Sequence, residues 1–287
     1  MLRRPVFILA ALVLAVAAAL VPAGSAAPRK AAPSRIISLS PTATETLFAI
    51  GAGKQVIAVD ADSSYPRAAP RTALSGLTPN IESIAAYRPD LVVIAYDPGG
   101  LRSALERLHI PVLMQDAAPN LQASYAQMLV LGRDTGHLAQ AQSLVARMKK
   151  RIAALVSGTH GRGRGLTVYH ELDPTLYSAT SKTFVGQIYS LFGLHDIADA
   201  ADKTGSGYPQ LSSEYVVAAN PDLVVLADTV CCGQSLATLR SRPGWNAIDA
   251  VRNGDVVRID DSIASRWGPR TVDFVRAIAS ALAHLRK

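Results

Sequence analysis

The sequence predicts an α/β fold of two Rossmann-like lobes with mainly parallel sheets, joined by one long α-helix. Three observations carry this. One template, E-x6-P-D-L-V-V-x-A, occurs twice, from Glu82 to Ala95 and from Glu214 to Ala227, with its aspartates Asp90 and Asp222 132 residues apart. Around each copy short apolar runs alternate with helical patterns, the order that builds parallel sheets. Between the copies lies one long stretch of helical periodicity. A repeat distance of this size is not that of a stacked solenoid and points to two similar halves.

Each template copy has the same local physics. Its glutamate opens a short helix, where the positive end of the helix dipole favours a negative side chain. The proline seven residues on marks the helix as finished. The runs Leu91-Val92-Val93-Ile94 and Leu223-Val224-Val225-Leu226 then show no polar alternation, as strands buried on both faces do.

Taken in order, residues 1–27 have the layout of a secretory signal: Arg3 and Arg4, an apolar run from Val6 to Val21, then the small residues Ala23-Gly24-Ser25-Ala26-Ala27. The run is shorter than the ~20 residues of a spanning helix, so export with cleavage is expected, and no nearby cysteine would carry a lipid. Residues 28–33 form a flexible lead. The first lobe, 34–118, starts with a strand at Arg35 to Leu39 and a helix in which Thr42 and Glu45 have capping-box spacing and Gly51 supplies the stop. A strand at Val56 to Asp60 and the loop Asp60-Ala61-Asp62-Ser63-Ser64-Tyr65-Pro66 follow. After the template come the loop Tyr96-Asp97-Pro98-Gly99-Gly100, a helix over Leu101 to Leu108 and a strand at Val112 to Met114.

Residues 119–160 are helical. Leu138, Ala141, Val145, Met148, Ile152 and Leu155 form one apolar stripe that ends near Gly158, while Arg147, Lys149, Lys150 and Arg151 face elsewhere. That basic face reads as the solvated side of a structural helix or as a membrane or partner surface. Gly161-Arg162-Gly163-Arg164-Gly165 follows a helix and precedes a strand, the reverse of the order in a nucleotide-binding loop. The second lobe, 161–287, has a strand at Leu166 to His170, the Asp173-Pro174 turn, a helix from Phe184 to Phe192 stopped by Gly193, and a loop Thr204 to Leu211 leading to the second template. Cys231-Cys232-Gly233-Gln234, a strand at Asp255 to Ile259, the loop Asp260 to Pro269 and a closing helix over Arg270 to Leu285 complete it. Loops after strand ends are where open α/β sheets hold ligands.

Composition excludes several classes. With 49% hydrophobic residues the chain can bury a large core. Its formal charge of +7 falls to +5 without Arg3 and Arg4 and is spread along the chain, with no basic cluster interleaved with aromatics for nucleic acid. No G-x-S-x-G nucleophile elbow occurs. His109, His137, His160, His170, His195 and His284 lie in separate elements without metal-ligand spacing. No catalytic residue, resident metal or cofactor is expected.

Ser38-Leu39-Ser40-Pro41 with Thr44-Glu45, Asp62-Ser63-Ser64-Tyr65-Pro66, Asn80-Ile81-Glu82, Tyr208-Pro209-Gln210-Leu211-Ser212 with Glu214, and Arg266-Trp267-Gly268-Pro269-Arg270 together resemble the exported vitamin B12 (cobalamin) binding proteins. These belong to the helical-backbone substrate-binding proteins of ABC importers, which also include haem and ferric-siderophore binders. The resemblance spans everything after residue 34. It implies one ligand in a cleft between two lobes on a rigid helix, held by Tyr65, Tyr96, Tyr177, Tyr208, Arg266 and Trp267 and released unchanged. One family tryptophan position before Asn80 is Gly76 here, and several aromatic positions are Tyr. The resemblance further implies that Glu82 and Glu214 dock a membrane permease and that the protein lies in the periplasm or at the extracytoplasmic face of the cell membrane; the chain gives no sign of oligomerisation, so a monomer is expected.

A large flat ligand rimmed with amides suits such a wall, because tyrosine offers a rigid face and a hydroxyl while ordering few torsions. Haem, which can take a Tyr axial ligand, and a ferric siderophore, which would want cleft arginines, are the competing cargoes. Cys231 and Cys232 are the only cysteines and are adjacent. In an oxidising compartment they read as a vicinal disulfide stiffening a turn at the cleft rim.

Overall fold

A computed structural model describes residues 31–285. The proposed secretory signal lies outside the described residues. Among the described residues no helix is long and apolar enough to cross a membrane.

The first half contains β1 (Ile36–Leu39), α1 (Pro41–Ala49), β2 (Val56–Val59), α2 (Ile81–Ala86), β3 (Leu91–Ile94), α3 (Leu101–Arg107) and β4 (Val112–Met114). Two helices follow, α4 (Leu121–Asp134) and α5 (Leu138–Ser157). The second half contains β5 (Thr167–Glu171), α6 (Phe184–Ser190), β6 (His195–Asp196), α7 (Ser213–Ala219), β7 (Leu223–Leu226), α8 (Leu236–Ser241), α9 (Asp249–Asn253), β8 (Val256–Arg258), α10 (Asp261–Ala264) and α11 (Thr271–His284). Each half forms a four-stranded, all-parallel sheet, ordered β2-β1-β3-β4 and β6-β5-β7-β8, so the two lobes share one topology.

The repeated aspartate explains part of the repeated order. Asp90 accepts from the backbone N–H groups of Ser34 (2.8 Å) and Arg35 (2.9 Å), and Asp222 accepts from Thr167 N–H (2.8 Å) and its hydroxyl (2.9 Å). In both lobes the residue preceding the buried template strand thus ties down the entry to the neighbouring first strand, β1 or β5.

Both sheets are covered on both faces, as their continuous apolar runs require. Ile36 and Val93 face α1, α4 and α5 through Leu47, Met128 and Met148, while Ile37, Val92 and Ile94 face Ile84, Leu101 and Leu105. In the second lobe Val168, Leu223 and Val225 meet Ile188, Phe274 and Ile278, and Tyr169, Val224 and Leu226 meet Leu239, Trp245 and Val251. Helix α5 places Leu144, Val145 and Met148 in the first lobe's core and Ile152, one turn later, in the second lobe's core. The stripe from Leu138 to Leu155 therefore joins the two lobes. Arg147, Lys149, Lys150 and Arg151 are exposed.

The capping-box expectation for Thr42 and Glu45 is corrected. Ser40 is the N-cap of α1, accepting from Ala43 N–H, with Pro41 in the first turn where a missing N–H costs nothing. Glu45 is thereby left free to reach the other lobe.

His170 is fully buried between Tyr189 and Phe274, with Nδ1 hydrogen-bonded to the Tyr189 hydroxyl at 2.5 Å and Nε2 without a partner among the described residues. Burial pushes its pKa down to about 3. An imidazole neutral in the folded chain and protonated in the unfolded chain stabilises above about pH 6.5, and this contribution is lost as pH falls towards 3. The stability difference between wild type and His170→Phe should accordingly shrink by about 1.4 kcal/mol per pH unit below pH 6.5. Urea unfolding of both proteins at pH 7, 6 and 5 measures it, and a pH-independent difference would refute the assignment.

Candidate functional site

The loops that leave the C-terminal strand ends of the two sheets meet. The loop between α10 and α11 crosses to the first lobe, where Arg266 Nη1 donates to Glu45 Oε1 (2.8 Å) and Nη2 to the Asp62 carbonyl (2.8 Å). Arg270 Nε donates to Glu45 Oε2 (2.9 Å) and Nη2 to Oε1 (2.5 Å), and the same guanidinium lies 4.4 Å from the centroid of the Tyr65 ring. Glu45 is buried, and the two arginine side chains are only 11% and 13% exposed. Trp267 Nε1 donates to Gln127 Oε1 on α4 (2.9 Å), and its carbonyl accepts from the Ser124 hydroxyl (2.5 Å). Arg266 and Trp267, expected to face a ligand, thus stand at the lobe junction with protein partners already in place. Burial of opposite charges explains this: a carboxylate inside the helix-packed junction requires cations from the facing loop.

The tyrosines behave differently. Tyr65, Tyr96, Tyr177 and Tyr208 are the exposed aromatic side chains among the described residues, at 48%, 58%, 42% and 47%, whereas Tyr125, Tyr169 and Tyr189 are buried. Two come from each lobe. Tyr65 follows β2, Tyr96 follows β3, and Tyr177 and Tyr208 sit on strands of loop that are tied together. Tyr177 bridges Gln210, Leu211 N–H donates to the Leu176 carbonyl, and Ser178 N–H donates to the Pro209 carbonyl. Asp202 fixes the approach to Tyr208 by accepting from Gly207 and Ser206 N–H groups, which hold its carboxyl below the usual range. Partial burial raises the Tyr208 phenol above its ordinary value, so it stays a neutral donor at physiological pH.

Beneath the second lobe's strand ends lies a polar cluster that sequence reasoning missed. Arg242 grips Glu171 with two bonds of 2.6 Å and donates to Gln234 Oε1 (2.8 Å), and the Tyr169 hydroxyl donates to Glu171 (3.0 Å). Asp228 is fully buried beside the Glu171 carboxylate; burial, the charge of Glu171 and a side-chain hydrogen bond with it push the Asp228 pKa up to about 7. The signal in sequence is slight: Glu171 ends β5, Thr167-Val168-Tyr169-His170-Glu171, a strand already mixed in polarity. Cys231 and Cys232, exposed just beyond, are bonded to each other.

Glu82 and Glu214 occupy the same place in their lobes. Each is exposed in the first turn of its helix, behind the N-caps Asn80 and Ser212. The Glu214 carboxyl is held below the usual range by its own backbone N–H and by the Ser212 side chain. Among the described residues no group of three or more His, Cys, Asp or Glu is placed to hold a metal ion.

Comparison with known proteins places this architecture. Residues 36–263 match the family model described as periplasmic binding protein. The chain belongs to the periplasmic binding protein family. Membership makes it a binding protein rather than an enzyme. It is 31% identical over 262 residues, covering 87% of this chain and 69% of its relative, to a cobalamin-binding protein of Halobacterium salinarum. It is 28% identical over 263 residues, 88% and 81% of the two chains, to an uncharacterized ABC transporter substrate-binding lipoprotein of Bacillus subtilis. Among solved structures, the periplasmic vitamin B12 binding protein of Vibrio cholerae matches with a TM-score of 0.74 at 23% identity, over 89% of this chain and 98% of that one. A periplasmic haem-binding protein of Roseiflexus matches with a TM-score of 0.75 at 24% identity, over 87% and 97%. The two-lobe fold is common to both.

Proposed function

We propose that this protein is an exported, monomeric substrate-binding protein that captures cobalamin or a related corrinoid between its lobes and delivers it to an ABC-type import permease. The observation that carries the proposal is the set of four exposed tyrosines, two from each lobe, on loops at the strand C-terminal ends. Exposed rings that no core requires are suited to sandwich a broad, flat, largely uncharged macrocycle, and their hydroxyls to meet its amide rim. The similarity to cobalamin-binding relatives at 31% and 30% identity supports the same cargo. With Arg266 and Arg270 engaged by Glu45, the cleft has less free positive charge for an anionic siderophore. Haem is the second reading, favoured by Tyr65, Tyr96 and Tyr208 as candidate axial donors and by the fold shared with haem binders.

Titration of the purified protein with cyanocobalamin, haemin and a ferric siderophore, followed calorimetrically and by visible absorption, tests the proposal. Saturable 1:1 binding of cyanocobalamin is expected. Saturation by haemin alone, with a shifted Soret band, would replace it with the second reading. Single Tyr→Ala substitutions at Tyr65, Tyr96, Tyr177 and Tyr208 should each weaken binding by about 2- to 13-fold, the value of a lost ring contact of about 0.5–1.5 kcal/mol.

Glu82 and Glu214 are the proposed permease contacts, their matching positions giving one negative point on each lobe. Two separated charges fix orientation and encounter rate more than affinity.

A further inference from the structure

Because the lobes share one topology, every strand-end loop of one has a counterpart in the other. The templates align Glu82 with Glu214, Asp90 with Asp222 and Ile94 with Leu226, and therefore Tyr96 with Asp228. The sheet pairings agree, since β3 runs beside β1 as β7 runs beside β5. Yet the two positions differ completely. Tyr96 stands exposed, while Asp228 is fully buried and its carbonyl accepts from Cys232 N–H (3.3 Å) and Gln234 N–H (3.4 Å). The chain doubles back over Asp228. The tip of this turn is exposed: Val230 is 71% exposed and both cysteines are exposed. The tip is held in place: Val230 and Cys231 N–H groups donate to the Asp261 carboxylate (2.9 and 2.7 Å), and the Thr229 hydroxyl donates to the Ile259 carbonyl (2.7 Å).

The disulfide at this tip has little to do with stability. A cross-link stabilises chiefly by closing a loop of chain in the unfolded state, and its effect grows with the length of that loop. Cys231 and Cys232 are neighbours and enclose no residue between them. What the bond changes is the surface: two thiol donors are replaced by a pair of soft, polarisable sulfurs beside an exposed valine, a combination that packs well against the face or edge of a conjugated ring.

On the footing that a flat macrocycle occupies the cleft as proposed above, we propose that Val230 and the Cys231–Cys232 disulfide are the second lobe's counterpart of Tyr96, an apolar, sulfur-faced contact for the ring system of the ligand. Asp261 aims the contact. Asp228 is the price in burial of folding the turn over the strand end.

The test titrates four proteins with cyanocobalamin and with haemin: the oxidised wild type, its disulfide verified by mass under denaturing conditions, Val230→Ser, the pair Cys231→Ser with Cys232→Ser, and Tyr96→Ala as the comparator. Thermal midpoints are measured in parallel. The valine and cysteine variants should each bind about three- to ten-fold more weakly than wild type, with midpoints unchanged within about 2 °C. Affinities within two-fold of wild type for both, with Tyr96→Ala weakened, overturn the contact and leave the proposed function standing. A fall of several degrees in the midpoint of the serine pair makes the disulfide a structural bond and also overturns it. Failure of the oxidised wild type to bind either macrocycle overturns both the contact and the proposed cargo.

Discussion

Replacement of Glu82 and Glu214 together by alanine is expected to abolish delivery of ligand to the permease while leaving ligand affinity unchanged. Both carboxylates are exposed, sit in the first turn of equivalent helices and take no part in the tyrosine wall. Their removal alters neither a core nor a strand-end loop. Surface charges of this kind govern encounter and register between large partners, and that role is salt-dependent. Each single substitution should lower uptake by about ten-fold and the pair should lower it to background. Uptake by whole cells carrying the variant, beside calorimetric affinity of the purified protein, separates the two effects. Undiminished uptake with the double variant would remove the docking role, and a parallel loss of affinity would show that the glutamates act on the cleft instead.

The second large effect is expected at the lobe junction. Glu45→Ala should cost about 3–5 kcal/mol of unfolding free energy, the usual consequence of leaving buried charge uncompensated. Glu45 faces two guanidiniums that have few other acceptors, namely the Asp62 carbonyl for Arg266 and the Ser262 carbonyl and hydroxyl for Arg270. Urea unfolding gives the value directly. Replacing Glu45, Arg266 and Arg270 together with Met should recover most of the loss, because an apolar trio of similar volume carries no uncompensated charge. If Glu45→Ala costs less than about 1 kcal/mol, the junction is solvated in solution and the triad does not hold the lobes.

Much of this was legible in the sequence where the signals are local. The template copies fold as helix, turn and buried strand in both lobes, since a first-turn glutamate, a helix-ending proline and an apolar run act within a few residues of one another. The stripe on α5 was legible for the same reason. Tyr65, Tyr96, Tyr177 and Tyr208 were singled out by the resemblance to the cobalamin-binding family, whose motifs place them in strand-end loops, and their rings are exposed there. Other features depend on partners far along the chain. Thr42 and Glu45 spell a capping box, yet Glu45 pairs with residues 221 and 225 positions away, and nothing near it in sequence records them. Arg266 reads as a free cleft cation until its carboxylate partner is known. Strand β6 escapes notice because two residues, His195 and Asp196, cannot display a period.

The placement of Met148 and Ile152 one helical turn apart has a consequence for modularity. Repetition of topology suggests two halves that could be excised and handled as stand-alone pieces. Here the described residues from Ala32 onward form one compact unit. A cut through α5 between those two side chains would break one 20-residue helix into two pieces, each at or below the ~12–15 residues that hold a helix in water, so the cover over Leu47 and Met128 and the cover over Val168 and Ile188 would both lose the helix that presents them. The duplicated plan is thus stitched into a single indivisible body.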